Sequence, residues 1–384
     1  MAGPTLDREL TTPRATRVRF AVATGSDDAA IRRLLRANPM RGEVSLTFER
    51  EPDYFHGTDL AGADDKTFVA YEGERLLCMG RCSVQSRFIN GQPARVGYLG
   101  ELRLDASVRG RFDVLRRGYR FFREVYRDDA PDLWFTSIAA DNHRSIRFLE
   151  RGLPGMPRYE FLTEFETLLI PVPRGKCAER RLQTGALRCV PGSQTLLPEM
   201  VSCLNAHARR HQLATEWTSD NLLPLERCGL PLSDFIVVLD GVRMVACAAL
   251  WDQRSFRQTV IRGYGGRAAL VRPWINLAAP LIGSARLPAV GSTLAHALLS
   301  PLALDENRAD LLATVVEKAL ALSASRGIEF VTLGFEANDP AAATLRKYFR
   351  VREYRSRIYR VSWPDADAPP HLDGRTILPE VALL

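Results

Sequence analysis

Residues 99–115, Leu-Gly-Glu-Leu-Arg-Leu-Asp-Ala-Ser-Val-Arg-Gly-Arg-Phe-Asp-Val-Leu, change character twice. The first six continue an extended run that begins near Arg95 and predict a strand ending at about Leu104. A short polar loop follows, and apolar residues then return at Phe112, Leu115, Tyr119, Phe122 and Tyr126, in the steps of three and four that predict a helix. A strand–loop–helix junction points free backbone N–H groups, and the positive end of the helix dipole, at whatever occupies its mouth. Arg109 and Arg111 add fixed positive charge there, and Gly110 permits close backbone approach. The stretch therefore predicts an anion site on an α/β scaffold.

Upstream, a strand at Arg17–Val22 and a helix at Asp27–Ala37 precede a Pro39–Gly42 break and a short amphipathic piece around Phe48–Phe55. A hairpin follows, from Thr67–Tyr71 through Glu72-Gly73-Glu74 into Leu76–Ile89, and Asn90-Gly91 is a strong hairpin turn. Downstream, Leu133–Ile138 reads as a short buried strand. A helix then starts at Asp141 or Asn142 and stops at Gly152, and Phe161–Val172 is one more strand.

The second half repeats this plan. Phe235–Leu239, the turn at Asp240-Gly241 and Arg243–Trp251 echo the hairpin, with Gly73 and Arg75 matched by Gly241 and Arg243. Phe330–Phe335 and Asn338 echo Leu133–Ile138 and Asn142. The second copy is longer, and its extra residues fall in the Gly- and Pro-rich stretch Arg262–Pro301. The expected organisation is a first unit at 17–172, a linker at 173–192, a second unit at 193–363 and a surface tail at 364–384. In the second unit the corresponding helix is expected to start at Leu304-Asp305-Glu306-Asn307, with no glycine-basic loop before it and with acids that would repel a pyrophosphate.

The whole composition sets outer limits. With 384 residues, 46% of them hydrophobic and 25% charged, the chain suits two globular domains and excludes a disordered or low-complexity scaffold. The 52 basic and 45 acidic residues leave a net charge of +7, too mild to choose among anionic partners. Seven cysteines are too sparse, and odd in number, for a disulfide framework. No apolar run is long enough for a membrane span, and Met1–Arg19 lacks a signal-like apolar core, so a cytoplasmic protein is expected.

Arg109 and Gly110, with Asn142, Ser145, Phe148, Leu149 and Gly152, give the sequence its family likeness. Together they resemble the GNAT acyltransferase superfamily, whose signatures are an Arg/Gln-plus-glycine loop and a later Asn-x-x-Ser/Ala-x-x-Phe/Leu followed by Gly. The match is closer to the second signature, because Phe112 and Val114 stand where the loop usually carries glycines. The resemblance implies a tandem GNAT-like fold, in each unit a mixed sheet flanked by helices, and transfer of an acyl group from acetyl-CoA or another acyl-CoA to a small-molecule or peptide amine. It implies that Leu102, Arg103 and Leu104 pair with the pantetheine arm, that Arg109, Gly110, Arg111 and Phe112 hold the pyrophosphate, and that Asn142 and Ser145 meet the arm. It needs no metal.

The same resemblance makes Glu101 the candidate base, with pairing to Arg103 or Arg81 as the alternative role. The family's usual acid, a tyrosine, is replaced by Leu149; Tyr159 is the substitute chosen, and Tyr98 a second. Two further readings keep the fold. One takes aminoacyl-tRNA or an acyl carrier protein as donor, and the other is a non-catalytic ligand- or partner-binding relative. His207 and His211 have metal-ligand spacing but lack the intervening glutamate, so a solvated basic face is expected. Cys78 and Cys82 share a strand face and read as core. The aromatics among Arg109–Arg127 follow the helix period, which disfavours a nucleic-acid surface.

Overall fold

The computed structural model describes residues 18–40, 42–108, 110–173, 187–266, 269–270, 272, 274, 276, 287–306 and 308–384. The first half runs β1 (Arg19–Val22), α1 (Asp28–Arg36), β2 (Val44–Glu49), β3 (Asp64–Glu72), β4 (Arg75–Ile89), β5 (Gln92–Leu104), α2 (Phe112–Val125), β6 (Leu133–Ala139), α3 (His143–Leu149) and β7 (Arg158–Pro171). The second half runs β8 (Leu187–Pro191), α4 (Leu197–Ala208), α5 (Ser219–Leu222), β9 (Phe235–Asp240), β10 (Arg243–Trp251), β11 (Gln258–Tyr264), β12 (His296–Leu304), α6 (Leu311–Ser325), β13 (Phe330–Glu336), α7 (Pro340–Tyr348) and β14 (Arg352–Ser362). Of the short amphipathic piece expected around Phe48–Phe55, Phe48 and Glu49 end strand β2 and the rest is loop and turn. Of the expected linker, residues 174–186 lie outside the described residues, and 187–191 form β8, an edge strand paired with β9.

The repeat is visible in detail. Both hairpin turns carry a glycine with positive φ, 59° at Gly73 and 61° at Gly241, where only glycine turns without strain. After each turn, an arginine reaches the aspartate that ends the long strand. Arg75 Nη2 lies 2.6 Å from Asp105, and Arg243 Nη2 lies 2.5 Å from Asp305. Asp305 is therefore the counterpart of Asp105 and not of the basic loop. The second helix begins later, at Leu311, with Asp310 as its N-cap where Arg111 caps α2. The cap of α7 is Asp339, which accepts from Ala341 N at 2.8 Å, one residue after Asn338, the echo of Asn142. The extra residues of the second copy lie between β10 and β12. They include β11, which crosses to pair with β2 as a separate two-stranded sheet.

The two halves are repeats in sequence but not separate bodies in space. One sheet of twelve strands runs β1-β3-β4-β5-β6-β14-β7-β13-β12-β10-β9-β8. Strand β14, the last of the second half, pairs with β6 of the first (Val361↔Trp134 to Ser356↔Ala139). Strand β7, the last of the first half, pairs with β13 of the second. The two exchanged strands pair with each other from Arg352↔Leu169 to Ser362↔Arg158. Each half thus supplies the strand that completes the other half's sheet.

The segment after Trp363 is not a surface tail. Ile377, Ala382 and Leu383 are buried, Gln212 and Ile377 form a parallel bridge, and Gln253 Nε2 and Arg257 Nη1 each donate to Ala382 O at 3.0 Å. Burial of apolar side chains from this segment in the common core holds it down.

Candidate functional site

The site is built where β5 and β6 part. Their parallel ladder runs from Val96↔Leu133 to Leu99↔Thr136 and ends there, with Thr136 Oγ1 donating to Leu99 O at 2.6 Å. Beyond it β5 stays bonded on its other edge to β4, through Arg81↔Gly100, Met79↔Arg103 and Cys78↔Leu104. The register of that pairing shifts between Met79 and Arg81, and Glu101 has φ 53°. A bulge of this kind bends and twists its strand, and here it carries the end of β5 away from β6. Leu102, Arg103 and Leu104 consequently have no strand partner on the β6 side among the described residues. An open backbone edge of this sort can accept an extended ligand that carries amides.

Helices α2 and α3 begin on either side of this split. Before α2, Ala106–Val108 forms one 3-10 turn; Arg109 lies outside the described residues. Gly110 has φ 89° with open space where a Cβ would stand. Arg111, the N-cap, pairs with Glu72 at 3.1 Å, which moderates its charge. Phe112 is 56% exposed and stacks on Phe148 of α3, ring centroids 5.0 Å apart and 16° from parallel. Asn142 is exposed and caps α3 by accepting from Ser145 N at 3.2 Å.

Glu101 does not pair with Arg103, whose Nη1 turns back to Leu102 O at 3.0 Å. Its partner is Arg50, which donates from Nε and Nη2 to Oε1 at 2.9 and 2.6 Å, while Tyr54 Oη donates to Oε2 at 3.0 Å. Arg81 stands near and is itself paired with Asp65 at 2.5 Å. Burial pushes the Glu101 carboxyl up, but the guanidiniums of Arg50, Arg81 and Arg257 outweigh it and hold the group well below the usual carboxylate range. Such a group stays ionised. It is a strong acceptor and ammonium partner but a weak proton acceptor.

Tyr159 lies on the other face of the sheet. It packs with Leu99 and Cys82 beside α2, and its hydroxyl is 2.6 Å from that of Tyr119. Burial pushes the Tyr159 phenol well up, so it is protonated. Tyr98 faces the Glu101 side with its hydroxyl in the fields of Glu101, Arg257, Arg81 and Arg87; burial pushes it up to about 12.

Sequence reasoning missed Arg50, Tyr54, Asp65 and Arg257. No spacing could have exposed them, because they converge on β5 from loops and strands up to the second half of the chain. His207 and His211 are half-buried, not a solvated face. Their rings are 4.5 Å apart, and burial pulls His207 down to about 3. No group of three or more metal-ligating side chains occurs among the described residues.

The second half contains the same split. Its ladder runs from His296↔Phe330 to Leu298↔Thr332 and stops, but the chain itself fills the gap. Ser300 Oγ donates to Glu380 at 2.6 Å, Ile377 N donates to Glu336 at 3.0 Å, and a Cβ at Gly334 would lie 2.8 Å from Val381.

No family model matches the chain, and no curated protein sequence matches it. Solved structures do. A GCN5-related N-acetyltransferase from Sphaerobacter thermophilus is 11% identical with a TM-score of 0.52, over 92% of this chain and 98% of that one. Saccharomyces cerevisiae N-myristoyltransferase, with bound myristoyl-CoA and inhibitors, is 10% identical with a TM-score of 0.58, over 98% and 90%. At these identities the likeness is one of fold, and the chain carries the GCN5-related N-acetyltransferase (GNAT) fold as two tandem units.

Proposed function

We propose that the chain is an N-acyltransferase that moves an acyl group from acyl-CoA to an amine, with its active site in the first half. The observation that carries this is the open edge of β5 past Leu99, set beside the start of α2. A pantetheine arm has two amides, and Leu102, Arg103 and Leu104 offer it backbone groups as a neighbouring strand would. The N–H groups of Gly110 and Phe112, with the side chains of Arg109 and Arg111, then meet the pyrophosphate, and Asn142 and Ser145 at the start of α3 meet the arm. The second half is a poorer candidate for this role. Its split is filled by 377–383, and Asp310 replaces Arg111.

In the reaction the acceptor arrives as an ammonium and loses one proton to water; its nitrogen then attacks the thioester carbon, the C–S bond breaks, and the second nitrogen-bound proton is released as the departing thiolate gains one. Glu101 stands on the acceptor face, where its fixed negative charge orients the ammonium and favours its approach. Protonated Tyr159, on the opposite face with Tyr119, is the candidate donor to sulfur. The acyl group is acetyl or longer, and the amine belongs to a small molecule or peptide. Among the described residues no helix is long and apolar enough to cross a membrane.

Calorimetric titration with acetyl-CoA and longer acyl-CoAs tests the donor, and thiol release on adding amines tests turnover. Binding that weakens at least tenfold on replacing Arg109 and Arg111 by alanine is expected. No binding of any acyl-CoA would overturn the reading.

A further inference from the structure

Among the described residues, every hydrogen bond to the Glu101 carboxylate comes from one short segment. Arg50 brings two donors to Oε1 at 2.9 and 2.6 Å, and Tyr54 brings one to Oε2 at 3.0 Å. The Arg50 guanidinium also lies 5.2 Å from the centre of the Tyr54 ring, so the two donors are packed on each other. Residues 50–54 belong to no helix or strand, and a loop keeps a fixed place only where other elements tie it down.

Two ties hold this loop. From α1, Asp28 Oδ1 accepts from Tyr54 N at 2.7 Å, and Arg32 and Arg36 pair with the Glu51 carboxylate. From the second half, Gln258 at the start of β11 grips the main chain of Glu51 on both sides. Its Oε1 accepts from Glu51 N and its Nε2 donates to Glu51 O, each at 2.9 Å. The second amide hydrogen goes to Arg254 O at 2.7 Å, which fixes the way the amide faces. In the ladder Gln258 stands opposite Glu49, the last residue of β2. Its side chain carries that ladder one step further, doing for Glu51 what a strand's peptide group would do.

Glu51 adjoins Arg50, and the Arg50 side chain is 2% exposed, so a shift of the one main chain is passed to the other guanidinium with little slack. A charge that orients a reacting group tolerates little displacement, since about 1 Å of misplacement can cost on the order of a hundredfold in rate. We propose that Gln258 is a positioning residue: by clamping Glu51 it sets Arg50, and through Arg50 the carboxylate of Glu101. The second half, whose own split is filled, thereby completes the acceptor side of the first. The role of Glu101 toward an ammonium rests on the acyltransferase reading; the clamp does not.

The test compares the full chain with Gln258→Met, which keeps the length of the side chain and removes its three hydrogen bonds, and with Arg50→Met and Glu101→Gln. The first readout needs no turnover. Protein labelled with 13C at glutamate Cδ is observed by NMR at pH 7.5, and the Glu101 signal is assigned by its loss in Glu101→Gln. Gln258→Met should move that signal at least half as far as Arg50→Met does, with thermal melts showing each variant folded. The second readout is thiol release from saturating acetyl-CoA with benzylamine, spermidine or the peptide Gly-Ala-Ala as acceptor. Gln258→Met should lower kcat/KM tenfold or more, chiefly through the KM of the amine, while acetyl-CoA Kd stays within twofold. In the Glu101→Gln background the same substitution should cost less than threefold.

An unmoved Glu101 signal would overturn the clamp whether or not an amine reacts. A moved signal with unchanged kcat/KM, or with equal losses in both backgrounds, would overturn its link to the acceptor. A moved signal in a chain that binds no acyl-CoA would leave the clamp standing and remove the acyltransferase reading instead.

Discussion

Replacing Arg50 by methionine isolates the contact that fixes Glu101. The change keeps most of the apolar stem and removes two N–H donors from a carboxylate whose side chain is 22% exposed. Breaking a buried ion pair costs about 3–5 kcal/mol, because the remaining charge is stranded. Here Tyr54 still donates to Glu101, Arg81 is near, and the carboxylate keeps some access to water, so the cost falls to the bottom of that range or just below it, about 2–3 kcal/mol. A chain of this length unfolds with an entropy of roughly 0.8 kcal/mol per degree, so the melting temperature should fall by about 3 °C at pH 7.5.

The pH dependence has a definite sign. A carboxyl held below its ordinary value, 4.5 for glutamate, stabilises the fold fully above that value and loses the contribution as pH falls towards the depressed native value. The gap between wild type and Arg50→Met should therefore be constant from pH 6 to 8 and narrow below about pH 4.5. Glu101→Gln in the Arg50→Met background should regain at least about 1 kcal/mol, since no charge is then stranded. Calorimetric melts across pH on the four proteins read all of this. A gap that widens on acidification, or additive effects of the two substitutions, would refute the assigned pairing.

Gly97→Ala should destabilise by about 1–3 kcal/mol, because its Cβ would stand 2.2 Å from Trp134 on the paired strand; Trp134→Leu in the same background should recover part of that loss, as read by urea unfolding. Arg75→Ala and Arg243→Ala each remove an ion pair on an exposed arginine, so each should cost less than about 1 kcal/mol, with the effect gone at high salt. Phe112→Ala removes the stack between the start of α2 and Phe148 in the last turn of α3; stability should fall by less than about 1 kcal/mol while stopped-flow association of acetyl-CoA quickens, and slower association would show that the ring holds the ligand instead.

The sequence was legible wherever the signal was local. The glycine turns at 73 and 241, the Asn90-Gly91 turn and the start of α2 at Phe112 are each carried by residues within a few positions of one another, and the repeat is legible because two such local patterns recur. The open edge could only be expected by resemblance, because its cause is a shifted pairing between β4 and β5 that no run of residues spells out. The partners of Glu101 were illegible for the same reason: Arg50 follows an unrecognised strand, and Arg257 belongs to the longer second copy. The offset between Asp305 and Asp105 was misread because both segments offer acids near a helix start. Only the matching arginine contacts fix the alignment. The segment after Trp363 has the composition of a loop, yet its few apolar residues are spaced to enter the core at Ile377 and Ala382–Leu383.

The exchange of β7 and β14 bears on how the chain reaches its native state. As it leaves the ribosome, the first half can build β1 to β6, but the strand that belongs beside β6 is not made until residues 352–362 emerge. Until then β6 presents an unpaired edge, and β7 waits for β13. Closure depends on contacts between positions some two hundred residues apart, the class of pairing that slows folding. The two units should therefore unfold together in a single transition, as read by calorimetry. Truncation after residue 172 should yield an aggregating fragment, and a cell making this protein at high rate should have to shelter its half-finished sheet.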